Sequence, residues 1–240
     1  MEKAGIISEV AQPVNWLWRS VVLAALTLMV PSLAYLGVFE LFSASYSGMP
    51  KYLAEFLAAG IALFLSMVTL KVYNDKEALG LDIKQLFPLR PLGRMWRVFL
   101  AGAVADLGLI VAFIAVMLKY YPDYEGSTAI IKMWAGNDKW FFVLTSTFMY
   151  AACEEIFLRG LVFSYIKKHA GFMKALLVSS LIFSLMHGGR IWGALLMIFL
   201  SGLVYGLAYE KTRSLAVPCL LHGLHNSVLR VIGVLGLIGG

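Results

Sequence analysis

Two consecutive glutamates, Glu154 and Glu155, lie inside an apolar stretch of the chain, and Arg159 follows four residues after the second. A charged side chain at bilayer depth costs at least about 2.5–3.5 kcal/mol even on the lenient insertion scales. Three such side chains in one apolar segment therefore need partners and a purpose. Glu155 and Arg159 share a face at this spacing if the segment is helical, so they can form an ion pair. The spacing thus predicts that Glu155 braces its own helix.

Glu154 has no such partner at helical spacing. It points about 100° around the helix from Glu155. It must find a partner on another helix or take up a proton, because burial disfavours the charged form of a carboxyl group. A carboxyl group in that position is suited to act as a general base or acid. We expect Glu154 to be the reactive member of the pair.

The later apolar segments contain further residues of catalytic type. His187 ends one segment four residues after Phe183, and His222 and Asn226 are four residues apart in another. Imidazole and carboxamide groups can donate hydrogen bonds to a developing oxyanion. Interhelical hydrogen bonding without chemistry is the alternative interpretation, and a lone intramembrane histidine such as His187 more often has that role. Counted from the flanking basic residues at 1.5 Å per residue, Glu154 and His187 lie about 20 Å, and His222 about 13 Å, from one membrane boundary. The three side chains are therefore expected at compatible depth.

Several hydrolytic sites are excluded by motif. The sequence contains no His-Glu-x-x-His zinc motif and no Gly-x-Ser-Gly nucleophile loop. Asp106 is the only aspartate in an apolar segment, so a paired-aspartate site lacks its second member. We expect Asp106 to be a structural hydrogen-bonding residue. Cys153 and Cys219 lie in apolar segments and are expected to be buried thiols without a disulfide or a metal.

The elements that must position these residues are membrane helices. Of the 240 residues, 60% are hydrophobic and only 14% are charged, whereas soluble domains are about 25% charged. We expect an all-α, polytopic bundle of about seven to eight transmembrane helices. Within one integral membrane domain, residues 1–139 would supply N-terminal helices and a basic cytoplasmic loop, and residues 140–240 the catalytic core. The predicted spans are 20–42, 53–72, 98–118, 140–163, 172–187, 192–210 and 215–238.

The distribution of basic residues predicts the orientation and the partners. The net charge of +6 does not indicate nucleic-acid binding, because Lys and Arg lie in loops between apolar spans. An N-terminus in the cytoplasm places thirteen of them inside and five outside, which is the favoured arrangement. The basic loop 74–97 is expected to contact anionic lipid headgroups. We therefore expect a multi-pass protein whose partners include membrane lipid.

Four motifs together resemble the CAAX prenyl endopeptidase and bacteriocin-processing family of intramembrane proteases, also called CPBP or Abi proteins. The similarity covers about residues 140–230, and the motifs occur in the family's order on four consecutive predicted spans. Gly202 and Gly206 also form a small-xxx-small pattern that favours close helix packing. The motifs read Glu154-Glu155…Arg159, Phe183…His187, Phe199…Gly202 and His222…Asn226.

The resemblance implies an intramembrane endopeptidase. Glu154 with His187 would bind and deprotonate the attacking water, and His222 with Asn226 would stabilise the tetrahedral oxyanion. No cofactor is expected to be required, although Glu154, His187 and His222 are residue types that could ligate zinc.

The resemblance assigns Glu155 and Arg159 to a supporting role, in which they brace the helix and tune Glu154. The implied substrate is a membrane-embedded or lipid-associated peptide or protein, with or without a lipid modification. Because the chain is shorter than expected for the eukaryotic branch, we expect a prokaryotic-type cell membrane. Two alternatives stay open, a non-enzymatic scaffold for bacteriocin self-immunity and a proton-coupled transporter.

Overall fold

Helices form all the regular secondary structure of the part of the chain that the computed structural model describes, namely residues 51–82, 86–87, 93–120, 140–188 and 192–234, with Arg19 and Val22. The predicted span 20–42, apart from Val22, and most of the outer loop 120–139 lie outside these residues. The helices are α1 (Lys51–Glu77), α2 (Gly93–Tyr120), α3 (Trp140–Glu155), a π-helical segment (Ile156–Phe163), α4 (Ser164–Ala170), α5 (Phe172–Met186), α6 (Trp192–Thr212) and α7 (Ala216–Val234).

The prediction of an all-helical membrane bundle is confirmed. Three described helices are long and apolar enough to cross a membrane by length and composition, and α5 is a shorter apolar helix. The three segments are Phe56–Glu77, Met95–Tyr120 and Trp192–Thr212. Each predicted span from 53–72 onward coincides with a described helix or with most of one.

The helices extend beyond the apolar spans at the predicted loop 74–97. Helix α1 continues to Glu77 and α2 already begins at Gly93, so both ends of that loop are helical. The apolar pattern marks only the part of a helix that needs an apolar environment, and polar residues continue the same backbone hydrogen bonding beyond it. At the end of α1, the Lys168 ammonium donates hydrogen bonds to the carbonyls of Glu77 (2.6 Å) and Ala78 (3.0 Å), a common way to satisfy the last carbonyls of a helix.

Three connecting segments contact one another at one end of the bundle. They are the segments between α1 and α2, between α4 and α5, and between α6 and α7, and all three were predicted to lie on the cytoplasmic side. Besides the contact of Lys168 with the end of α1, Lys167 pairs with Glu210 near the end of α6 at 2.7 Å. The Ser214 hydroxyl, between α6 and α7, donates to the carbonyl of Leu86 at 3.0 Å. These contacts place the three connections together, as a common membrane side requires. The assignment of that side to the cytoplasm stays a prediction.

The helix that carries the glutamate pair changes its winding immediately after them. Residues Ile156–Phe163 are π-helical, and all eight are buried. Short π-helical segments within α-helices often occur at functional sites. Here the segment links α3 to α4, and the Ser164 hydroxyl donates to the carbonyl of Arg159 at 3.0 Å. The glutamates therefore lie at the junction of two backbone geometries.

Two glycines allow the helices around the pair to approach closely. A Cβ atom at Gly202 would lie 3.1 Å from Cβ of Ser180 and 3.2 Å from the Phe183 ring, so α6 packs directly on α5. A Cβ atom at Gly223 would overlap the Phe148 ring, so α7 packs equally closely on α3. The small-residue packing expected at Gly202 is thus present, and Gly223 has the same effect beside His222.

Candidate active site

The fully buried carboxylate of Glu155 joins two helices. Its Oε1 atom accepts a hydrogen bond from Nη1 of Arg159 at 3.0 Å, which is the i, i+4 pair expected from the spacing. The same oxygen accepts a second hydrogen bond, from Nδ1 of His222 on α7, also at 3.0 Å. Glu155 therefore holds the imidazole of another helix in addition to bracing its own.

The fully buried Arg159 guanidinium is held from three sides. Besides its contact with Glu155, its Nη2 donates to the carbonyl of Gly202 at 2.8 Å. The guanidinium carbon lies 5.1 Å from the centre of the Phe183 ring and 5.6 Å from that of Tyr205. A carboxylate, a carbonyl and two aromatic faces offset much of the cost of burying this cation, while Nε has no hydrogen-bond partner among the described residues. Arg159 thus ties the glutamate helix to α5 and α6.

His222 lies between the two consecutive glutamates. Its Nδ1 donates to Glu155, and its Nε2 lies 3.8 Å from Oε2 of Glu154. The ring stacks on Tyr205, with centroids 5.4 Å apart and an interplanar angle of 21°. The edge of Phe183 packs against it at 5.2 Å and 78°. The hydrogen bond to Glu155 sets the tautomer, because the proton on Nδ1 leaves Nε2 as the nitrogen that faces Glu154.

Glu154 is the member of the glutamate pair whose side chain is partly exposed at the surface of the helix bundle. Its side chain is 33% exposed, whereas that of Glu155 has no exposed surface. Among the described residues its Oε2 forms no hydrogen bond, and the ring of His222 on α7 is its partner at ion-pair distance. The expectation that Glu154 finds its partner on another helix therefore agrees with the geometry.

His187 ends α5 and points its Nδ1 at the backbone. That nitrogen donates to the carbonyl of Phe183 at 2.9 Å, which leaves Nε2 as the acceptor nitrogen of the ring. The Phe183 ring packs edge-on against His187 at 5.0 Å, as it does against His222. Phe183 is therefore the side chain through which the structure brings the two histidines into one site.

Asn226 lies on α7 one turn beyond His222 and is partly buried. Within the described part of the chain its side chain forms no hydrogen bond to the glutamates or to His222. The structure thus places it on the same helix as the predicted partner but leaves its role as a prediction.

The side chains that could ligate zinc stay a prediction. In the described ranges, no three His, Cys, Asp or Glu side chains are arranged to hold a metal ion. Nδ1 of His222 donates to Glu155, and Nδ1 of His187 donates to a backbone carbonyl. Metal-ligating histidines also make such contacts, so these contacts are compatible with either kind of site.

Tyr205 is a site residue that the sequence did not single out. It stacks on His222 and faces the Arg159 guanidinium. The available signal was an aromatic residue with a polar hydroxyl inside an apolar span, next to Gly206.

Comparison with known proteins finds a family that is similar to part of the chain. Residues 136–228 match the family described as Type II CAAX prenyl endopeptidase Rce1-like. This part of the chain is similar to that family. The matched region contains all four motifs from the glutamate pair to Asn226, and it covers less than half of the 240 residues. Neither the curated proteins nor the solved structures give a significant match.

The match agrees with the resemblance found in the motifs. The matched family is described as a CAAX-type endopeptidase. With its apolar helices, the chain is an integral membrane protein. Helices α1 and α2 lie outside the matched residues yet pack against them, α1 on α3 and α2 on α6 and α7.

Proposed function

We propose that this protein is an intramembrane endopeptidase in which Glu154 activates a water molecule to hydrolyse a peptide bond. The observation that carries the proposal is the placement of one buried imidazole between two consecutive carboxylates. Glu155 holds Nδ1 of His222 at 3.0 Å, and Glu154 lies 3.8 Å from Nε2 and is partly exposed. One carboxylate is thus committed to structure and the other is available for chemistry.

The proton transfers follow from this division. The Glu154 carboxylate takes a proton from water, and the resulting hydroxide adds to the carbonyl carbon of the substrate. The carbonyl π electrons move to the oxygen, which becomes the oxyanion. When the intermediate collapses, the C–N bond breaks and Glu154 returns its proton to the leaving nitrogen. A positioned general base contributes about 10²–10⁴-fold to such a reaction.

His222 is proposed to stabilise the oxyanion from its Nε2 atom. Because Nδ1 already carries the proton shared with Glu155, donation from Nε2 requires the doubly protonated ring. Glu155 and Glu154 supply the counter-charges for that cation. Asn226, one turn further along α7, would add a carboxamide donor. Removing one donor of this kind costs about 10²–10³-fold in the rate of other hydrolases.

His187 is proposed to orient the water for Glu154. Its Nδ1 proton is directed to the carbonyl of Phe183, so Nε2 is the nitrogen that can accept a hydrogen bond from water. The same backbone contact fixes the ring at the end of α5. His187 therefore acts as an acceptor that aligns the water, and Glu154 removes the proton.

The substrate is proposed to be a membrane-embedded or lipid-associated peptide, with or without a prenyl group. The family description supports a prenylated or otherwise membrane-bound substrate class. We also propose that the N-terminus is cytoplasmic and that the host membrane is of the prokaryotic type. No metal is assigned to the reaction.

Reconstituted protein tests the proposal with a reporter peptide anchored in the same liposomes. We expect wild-type protein and Glu210→Gln to cleave the peptide and Glu154→Gln to be inactive at equal expression. Glu210 is a suitable control because it pairs with Lys167 and Arg213 at the end of α6, away from the glutamate pair. Full cleavage by Glu154→Gln would refute the mechanism. Solute uptake by the liposomes without cleavage would favour a transporter, and neither activity would favour a scaffold.

A further inference from the structure

A second buried polar cluster lies directly behind the site. Asp106 of α2 is 2% exposed, and its Oδ2 accepts a hydrogen bond from Nδ1 of His225 at 2.9 Å. The same oxygen accepts a second hydrogen bond from the Tyr205 hydroxyl at 3.2 Å. His225 and Tyr205 are also buried. Three helices (α2, α6 and α7) thus meet at one carboxylate oxygen.

Tyr205 connects this cluster to the proposed active site. The hydroxyl end of its side chain is fixed by Asp106, and the face of its ring stacks on His222 at 5.4 Å. His225 lies three residues after His222 on α7, on a neighbouring part of the same helix surface. The Asp106 carboxylate is therefore linked to His222 in two ways. It bonds Tyr205, whose ring stacks on His222, and it bonds His225, which is on the same helix as His222.

We propose that Asp106, together with His225, positions Tyr205 so that its ring sets the plane of His222 for catalysis. The inference rests on the proposed hydrolytic function, since positioning of His222 is a catalytic property only if His222 takes part in the reaction. It assigns a role to an aspartate of α2, which lies outside the family-matched residues 136–228. Asp106 is a positioning residue and does not contact the substrate.

The physical reason lies in how the imidazole is held. One hydrogen bond, from Nδ1 to Glu155, fixes one atom of the ring but allows the ring to pivot about that contact. The reacting atom, Nε2, is on the far side of the ring, so a pivot displaces it most. The Tyr205 face and the Phe183 edge prevent the pivot. Tyr205 can do so only if its own ring is fixed, and the hydrogen bond to Asp106 fixes it.

The variant Tyr205→Phe tests this chain of contacts with the smallest change. It keeps the ring against His222 and removes only the hydroxyl that Asp106 holds. We expect kcat to fall by about 10–100-fold, the effect seen when groups that orient metal-ligating histidines are removed, while KM is unchanged. Tyr209→Phe is the matched control, because Tyr209 lies one turn further along α6 and its hydroxyl contacts Ser164 at 3.1 Å instead. That variant should keep the wild-type kcat.

Substitution of Asp106 shows whether Asp106 and Tyr205 affect His222 through the same hydrogen bond. Asp106→Leu should lower kcat at least as much as Tyr205→Phe does, and Asp106→Asn should lower it less, because a carboxamide oxygen can still accept from the hydroxyl. In the Tyr205→Phe background, Asp106→Leu should cost less than it does alone, since contacting residues are not additive. Full additivity, or a wild-type kcat in Tyr205→Phe, would overturn the proposal.

A second measurement is independent of turnover. The chain has four histidines, so ¹⁵N-histidine-labelled protein gives few ring signals, which single-histidine substitutions can assign. The proposal predicts that the His222 ring signals shift in Tyr205→Phe and Asp106→Leu but not in Tyr209→Phe. If they do not shift, the positioning role is wrong even if the protein is a protease. If they shift in a protein that cleaves no peptide, the positioning of the ring stands and the proposed hydrolytic function fails.

Discussion

The close approach of α3 and α7 at Gly223 should be essential for the site, and Gly223→Ala tests it. The added Cβ atom would lie 2.8 Å from Cγ of Phe148 and closer still to two other atoms of that ring. Carbon atoms in contact prefer separations of about 3.5–4.0 Å. Either the ring must rotate away or the two helices must separate. The separation needed is roughly 1 Å, the difference between these distances and a normal carbon–carbon contact.

Separation of the helices would act directly on the reacting groups. Glu154 and Glu155 lie on the α3 side of this contact, and His222 precedes Gly223 on α7. A misplacement of about 1 Å can reduce an enzyme's rate by about 10²-fold, and overpacking typically costs about 1–3 kcal/mol of stability. We therefore expect Gly223→Ala to lose about 10²-fold in reporter-peptide cleavage.

A compensating substitution separates this explanation from general damage. Phe148→Leu in the Gly223→Ala background removes the overlapping ring atoms and should restore much of the cleavage. Gly60→Ala is the control, since a Cβ atom at that position of α1 has no neighbour within 4 Å. If Gly223→Ala cleaves at the wild-type rate, or if Phe148→Leu restores nothing, the packing argument fails.

Two further predictions concern the glutamate pair and the metal. Glu155→Gln removes the counter-charge of the buried Arg159 and should lower the free energy of unfolding by about 3–5 kcal/mol, whereas Glu154→Gln should leave it nearly unchanged, as measured by denaturant titration in detergent. An equal loss in both variants would contradict the division between a structural and a reactive carboxylate. Cleavage should also continue in metal-free, chelator-treated protein, and activity that is lost on chelation and restored by zinc would show that a metal is required.

Much of the fold could be predicted from the sequence, because long apolar segments identify membrane helices. The spans 98–118 and 192–210 lie inside Gly93–Tyr120 and Trp192–Thr212, with the differences confined to polar ends. The ion pair of Glu155 with Arg159 was also predictable, because both residues belong to one helix and their spacing fixes their relative direction.

The contacts between helices could not be predicted in the same way. The hydrogen bond of Glu155 with His222 depends on how α3 and α7 are rotated and how closely Gly223 lets them approach. The pattern of apolar residues does not report the rotation of a membrane helix, because lipid tails and the bundle interior are both apolar. The π-helical segment after Glu155 gave no signal either, since all eight of its residues are buried.

The partners of Asp106 are another contact between helices that the sequence could not predict. Its place in an apolar span identified it as a hydrogen-bonding residue, and the structure confirms that it forms hydrogen bonds. Its partners, His225 and Tyr205, come from helices far away in the sequence. Only the packing of α2 against α6 and α7 brings them together.

The most direct test of the central claim is the single-turnover cleavage rate of Glu154→Gln with enzyme in excess over a membrane-anchored reporter peptide. Under these conditions the rate reports the chemical step and not product release. The account predicts a rate lower by at least about 10²–10⁴-fold, with substrate binding and unfolding stability close to those of the wild type. A Glu154→Gln variant that cleaves at the wild-type single-turnover rate would show that another group activates the water.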